Sequence, residues 1–337
     1  MTHLTLVLQR LITYVSTLGG TLLGPATLQG AETERASDST DVLDGNDSSP
    51  DSGLLVLNAD DWGRDANTTD RILECFLGGM LSSTSAMVFM EDSERAAGLA
   101  RERDLETGLH INLTNPFTAN GASPRLQEHL LKVQGYLKGH RLAQVVYHPG
   151  LASSFQYVVK SQIEEYERLY GAGPQRLDGH HHMHLCANVL LGRLLPAGTL
   201  VRPSFSFYSG EKSAGNRVYR ALVNGLLARR NRSADYFFSL PPLEPAERIH
   251  RIFALAKTAT VEVETHPVNP EEYRFLLGGG IQGFLKNVKV ARGFVAPQAA
   301  IAVARRSTTS GLACVLPYAV AFGAALYESL DQFSECL

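Results

Sequence analysis

From residue 54 to about residue 284 the chain alternates short apolar runs with longer segments of helical period, which restricts it to parallel strands joined by helical crossovers. The apolar runs fall at 54–58, 84–89, 107–113, 176–179, 200–207, 236–239 and 260–265. Between them the spacing predicts helices near 66–77, 93–103, 124–144, 155–170, 188–195, 215–229 and 246–256. Right-handed crossovers set successive strands side by side. About seven such units close, or nearly close, a barrel more readily than they extend an open sheet. The expected class is therefore α/β, a (β/α) barrel of about seven parallel strands.

The ends lack this rhythm. Residues 1–53 open with an apolar stretch at 11–23, preceded by a single basic residue, Arg10, and continue into a run at 37–52 rich in Ser, Asp, Asn and Gly. That favours a disordered leader and linker over a secretory signal. Residues 285–337 form an extension with no assigned role. Its apolar part, 311–327, is broken by Pro317 and short for a span of about 20 residues, which favours a terminal helix over a membrane anchor. The charge balance, 31 Lys+Arg against 34 Asp+Glu, leaves a net charge of -3 and no electrostatic footprint for nucleic acid. Cys75, Cys186, Cys314 and Cys336 are too scattered for a disulfide framework and have no C-x-x-C spacing. A cytoplasmic location is expected, with secretion and membrane association left open, and a homodimer is compatible with the sequence.

The chemistry gathers at the ends of the strand candidates. The first runs from Leu54 into two adjacent acids, Asp60 and Asp61, followed by Trp62 and Gly63. In parallel α/β folds the carboxyl ends of strands form the floor of the site, so acids there stand where reactions occur, although one of such a pair is often a helix cap. In Gly108-Leu109-His110-Ile111-Asn112, period two puts His110 and Asn112 on one face. The densest feature is Asp178-Gly179-His180-His181-His182-Met183-His184. As a strand it would project His180, His182 and His184 together, and as a helix it would align His180 with His184. Either arrangement clamps a divalent metal, and not all four imidazoles fit around one ion. The last strand puts Glu262, Glu264 and His266 on one face, with His266 placed as a general acid, and Arg202 can orient a carboxylate from another strand end. Trp62, Phe205, Phe207 and Tyr208 are aromatic candidates for a pocket wall and could equally belong to the core.

In order, Asn58-Ala59-Asp60-Asp61-Trp62-Gly63, Ser83-Thr84-Ser85-Ala86-Met87, Gly108 to Thr114, Leu177 to His184 and Glu264-Thr265-His266-Pro267 resemble the YdjC-like carbohydrate deacetylases. That group includes chitooligosaccharide deacetylases and a branch associated with hopanoid biosynthesis. The resemblance spans about residues 54–284. It implies a deformed β/α barrel and a hydrolase of amide C–N bonds that removes acetyl from an N-acetylated sugar or glycolipid headgroup. It also implies one divalent ion, Mg²⁺ or Zn²⁺, held by Asp61, His110 and His180, with His184 as a further neighbour. Asp60 would be the general base, His266 the general acid, and Arg202 similar to an arginine that steadies the base in related polysaccharide deacetylases. Trp62 departs from the Phe of many members. Two other readings stay open: a metal-dependent phosphoesterase, because adjacent acids and histidines also suit two-metal sites, and a non-catalytic carbohydrate-binding protein on the same fold.

Overall fold

The computed structural model describes residues 53–293, apart from 141, 209, 210, 286, 287 and 289. The leader and the terminal helix expected from the sequence lie outside the described residues, as do Cys314 and Cys336.

Seven parallel strands form one sheet: β1 (Leu54–Trp62), β2 (Ser83–Ala86), β3 (Thr107–Ile111), β4 (Arg176–Gly179), β5 (Leu200–Val201), β6 (Tyr236–Ser239) and β7 (Thr260–Thr265). Their order is β5-β4-β3-β2-β1-β7-β6, with β1 between β2 and β7 and pairing β7 from Leu54↔Thr260 to Ala59↔Thr265. Main-chain bonds span the gap between the two edges. Val201 N–H donates to the Arg232 carbonyl at 2.7 Å, Arg232 N–H to the Thr199 carbonyl at 3.1 Å, and Ser206 N–H to the Phe237 carbonyl at 2.8 Å. The curled sheet is thereby drawn into the deformed barrel expected of the family.

Helices α1 (Ala66–Leu77), α2 (Ser93–Arg103), α3 (Pro124–Gly139), α4 (Ala152–Tyr170), α5 (Ala187–Leu191), α6 (Ala214–Ala228), α7 (Ala246–Leu255), α8 (Pro270–Leu277) and α9 (Gln282–Leu285) complete the described fold. Side-chain caps start four of them, since orphan N–H groups of a first turn need acceptors. Asp65 accepts from Thr68 N–H, Ser123 from Leu126, Ser213 from Asn216 and Asn269 from Glu271. Among the described residues no helix is long and apolar enough to cross a membrane. Cys75 and Cys186 are buried free thiols, as expected for small apolar side chains.

Period two divides strands such as β1, β3, β4 and β7 between two environments. Leu55, Leu57, Leu109, Val261 and Val263 are buried in the apolar core, each contributing roughly 1.5–3 kcal/mol. The alternate positions Asn58, Asp60, Ser83, Ser85, His110, Arg176, Asp178, Glu262 and Glu264 are equally buried but polar. Such groups are stable only when they satisfy one another. The barrel therefore has a polar interior, and that interior is where the site lies.

Local differences from the sequence reading have local causes. β2 stops at Ala86 because the chain turns away, with Phe89 in the left-handed region at φ 59°. β5 is only two residues long because the chain leaves the ladder after Arg202, at Pro203, and Ser206 bonds across the gap instead. The histidine tract is neither strand nor α-helix. It is a 3-10 turn, His180–Leu185, interrupted by His181 and His182 at φ 53° and 56°.

Candidate metal and acid-base site

Arg202 lies at the centre of the interior, at the end of β5, and its side chain is fully buried. Its Nε donates to Glu262 Oε1 at 2.7 Å, Nη1 to Asp60 Oδ2 at 2.6 Å and to Glu264 Oε2 at 3.2 Å, and Nη2 to Asp60 Oδ1 at 2.7 Å. Nη2 also lies 3.1 Å from Asp178 Oδ2. Arg176 supports the other side, donating to Asp178 Oδ2, to Ser85 Oγ, to Asn58 Oδ1 and to the Thr84 carbonyl. Burial raises the Asp60 carboxyl, but the charges of Arg202 and His110 outweigh it and hold the group below its ordinary value. Glu264 goes the other way: burial and the neighbouring Asp60 charge push it up to about 8.

Adjacent residues of a strand face opposite ways, so Asp60 and Asp61 would not ordinarily share a cavity. Here the β1–β2 register shifts between Ala59 and Trp62, and Asp61 takes the left-handed conformation at φ 71°. Both carboxylates are buried as a result. Asp61 Oδ2 accepts from Arg64 Nη1 at 2.6 Å. Asp61 Oδ1 faces His110 Nε2 at 3.4 Å and His180 Nδ1 at 2.9 Å, yet it is a buried oxygen without an aligned hydrogen bond. Burial would raise this carboxyl, but the two imidazoles hold it well below the ordinary range.

Asp61, His110 and His180 each present one ligand atom, all within 4.8 Å of one another. The far edge of each ring is also held, His110 Nδ1 by Asp178 Oδ1 at 2.8 Å and His180 Nε2 by Asn115 Nδ2 at 2.8 Å. An orphaned carboxylate oxygen facing two oriented imidazoles fits a divalent ion with open coordination positions. A second group, Asp60, His110 and Asp178, lies equally close, but the salt bridges and hydrogen bonds just described already engage its oxygens.

His184 is not brought to this trio. Burial depresses its imidazole to about 4, and its Nε2 lies 3.0 Å from the Arg202 carbonyl, where Nε2–H donates. His266 is half-buried at the end of β7, and its N–H donates to Glu272 Oε2 at 2.9 Å, which Thr265 Oγ1 also contacts. Burial lowers its imidazole, but Glu264, Asp60 and Asp61 outweigh this and raise it. His182 rests edge-on against Phe205 with centroids 4.5 Å apart, and Phe205 stacks on Phe237 at 4.6 Å. Phe207 and Tyr208 lie farther along the same segment, whereas Trp62 is wholly buried in the core.

Sequence reasoning assigned no role to Asp178, Arg176, Asn115 or Glu272. A signal existed for Asp178, since an acid before Gly179 at a strand end mirrors the Asp60–Asp61 pair. Nothing local distinguishes Arg176 from a solvated arginine or Asn115 from a loop asparagine.

Comparison with known proteins gives the same outline. A carbohydrate deacetylase of Mus musculus is 30% identical over 141 residues, which cover 40% of this chain and 44% of that protein. A chitooligosaccharide deacetylase of Proteus mirabilis (strain HI4320) is 33% identical over 134 residues, 39% of this chain and 50% of the relative. The chain thus spans half or less of the length of these relatives. A crystal structure from Enterococcus faecalis V583, provisionally described as a cellobiose-phosphate cleavage protein, superposes with a TM-score of 0.51 at 17% identity, over 71% of this chain and 97% of that one. At that identity the likeness supports the fold alone. Residues 54–282 match the model of the YdjC-like proteins, and the chain belongs to that family.

Proposed function

We propose that this chain is a metal-dependent hydrolase that removes the acetyl group from an N-acetylated carbohydrate. The observation that carries the reading is the buried Asp61 Oδ1, left without a hydrogen bond between two imidazoles whose far edges are pinned. Asp61, His110 and His180 would hold the ion, and two nitrogen ligands favour Zn²⁺ over the oxygen-seeking Mg²⁺. When bound, the ion supplies Lewis acidity, which polarises an amide oxygen and makes water a stronger acid.

The chain's own residues supply the proton chemistry. Asp60 is kept ionised by Arg202, so it can accept the proton of attacking water. His266, raised by the acids around it, is suited to protonate the departing amine nitrogen, without which the tetrahedral species reverts. Phe205, half-buried and backed by the buried Phe237 ring, offers an apolar surface to a sugar ring. The names of the relatives support an N-acetylated sugar as substrate, with a glycolipid headgroup a variant of the same chemistry. A two-metal phosphoesterase is disfavoured because the second acidic group is engaged by Arg202 and Arg176.

Asp61→Asn tests the reading, because asparagine tolerates the left-handed backbone while removing the charge. The full chain should release acetate from N-acetylglucosamine oligomers only when loaded with metal, and the variant should lose both metal and release. Undiminished metal-dependent release from Asp61→Asn would refute the assignment, and phosphate release from phosphoesters without acetate release would favour the rival.

A further inference from the structure

We infer that Asn115 is a positioning residue for the metal: it accepts the Nε2 proton of His180 and so fixes Nδ1 as the nitrogen offered to the ion. The inference rests on the metal reading above. A neutral imidazole carries one N–H, so a ring that ligates through one nitrogen must place its proton on the other and find an acceptor there. His110 meets this requirement with the Asp178 carboxylate on Nδ1, leaving Nε2 toward Asp61. His180 is the converse case, with Nδ1 toward Asp61 and Nε2 toward the Asn115 amide. The placed amide turns Nδ2 to the ring, and a half turn of its terminal group puts Oδ1 there instead. With Oδ1 toward the ring the Nε2 proton has its acceptor, and Nδ1 is left with its lone pair for the ion. The amide also adds no charge to a cavity that already contains Asp60, Asp61 and Asp178.

The loop that carries Asn115 is built to deliver it. Asn112 Oδ1 accepts from the N–H groups of Thr114 and Asn115 at 3.2 and 2.9 Å, and Asn112 Nδ2 donates to the Asn115 carbonyl at 2.9 Å. Asn112 is itself anchored on α4, its N–H donating to Gln162 Oε1 at 2.7 Å and its carbonyl accepting from Gln162 Nε2 at 3.0 Å. Two bonds therefore set the Asn115 backbone and a third sets Thr114 beside it, so that only the terminal torsion of the amide is left to turn Oδ1 to the ring.

The test is the affinity of the full chain for Zn²⁺, measured against a colorimetric chelator, for the parent, Asn115→Ala and Asn115→Asp, with circular dichroism to check folding. Asn115→Ala should bind about 10- to 100-fold more weakly, the usual cost of losing the partner of a ligating histidine. Asn115→Asp keeps the shape and presents only acceptors, so it should bind at least as tightly as the parent. Equal affinity in parent and Asn115→Ala overturns the inference while leaving the metal reading intact, as does an Asn115→Asp chain that binds as weakly as Asn115→Ala. A parent chain that binds no metal overturns both.

Discussion

Replacing Arg202 with methionine strands the carboxylates it now serves. Methionine keeps much of the volume and the contact with the Phe237 ring, over which the guanidinium sits at 4.8 Å, so the loss is chiefly electrostatic. Removing one partner of a buried ion pair costs about 3–5 kcal/mol. The acids left behind recover part of that by binding protons, Glu264 first, because burial and Asp60 already push it up to about 8. Without the arginine, Asp60 too titrates higher in the folded state than in the unfolded chain, and Glu262, which burial already raises, rises further. The folded state then holds more protons over that interval, so the variant's deficit grows as pH rises. The full cost is expected near about pH 8 and a smaller one near about pH 5.5; at about 2–4 °C per kcal/mol, the first corresponds to a melting point lower by about 6–20 °C. Thermal and urea unfolding followed by circular dichroism at both pH values measures this. Glu262→Gln should destabilise the parent yet recover about 1 kcal/mol or more beside Arg202→Met. A deficit under about 1 kcal/mol, or one equal at both pH values, would refute the claim that Arg202 neutralises the interior.

Two further outcomes follow from the same geometry. Asp60→Asn preserves the shape beside Arg202 but removes the proton acceptor, so kcat should fall about 10²- to 10⁴-fold with Zn²⁺ affinity retained; loss of the metal would instead make Asp60 a ligand. His184 stays neutral down to about 4 while its counterpart in the unfolded chain begins to bind protons near 6.5. The stability it contributes is therefore present above 6.5 and lost as pH falls through about 4, up to about 3 kcal/mol. His184→Gln should flatten that part of the stability profile, and parallel profiles for variant and parent would exclude the effect.

The alternation of strands and helices was legible because both periods are local properties of the chain. So was the inward face of β7, where Glu262 and Glu264 alternate with valines and both meet Arg202. The histidine tract was legible as a candidate metal site but not in shape. Strand and helix periods both grouped His180 with His184, whereas two left-handed residues between them send His184 to the Arg202 carbonyl. Sharing of one cavity by Asp60 and Asp61 was hidden for a similar reason, since it depends on one backbone angle at Asp61. The partners of the two candidate imidazoles were hidden by distance: Asp178 is 68 residues from His110 and Asn115 is 65 from His180. α8 went unread because it has only eight residues, although Asn269-Pro270-Glu271-Glu272 is a good helix start.

The gap between β5 and β6 sets how the molecule breathes. β1 and β7 are laced by a continuous ladder from Leu54 to Ala59, but here isolated main-chain bonds hold the two edges. Amide exchange at Val201, Ser206 and Arg232 should accordingly outpace that of β1 and β7. Arg202 stands at the lip of this gap, and its carbonyl is bonded by His184. The last histidine of the tract thus ties down the Arg202 backbone at this lip, while Asp60, Glu262 and Glu264 hold its guanidinium from within.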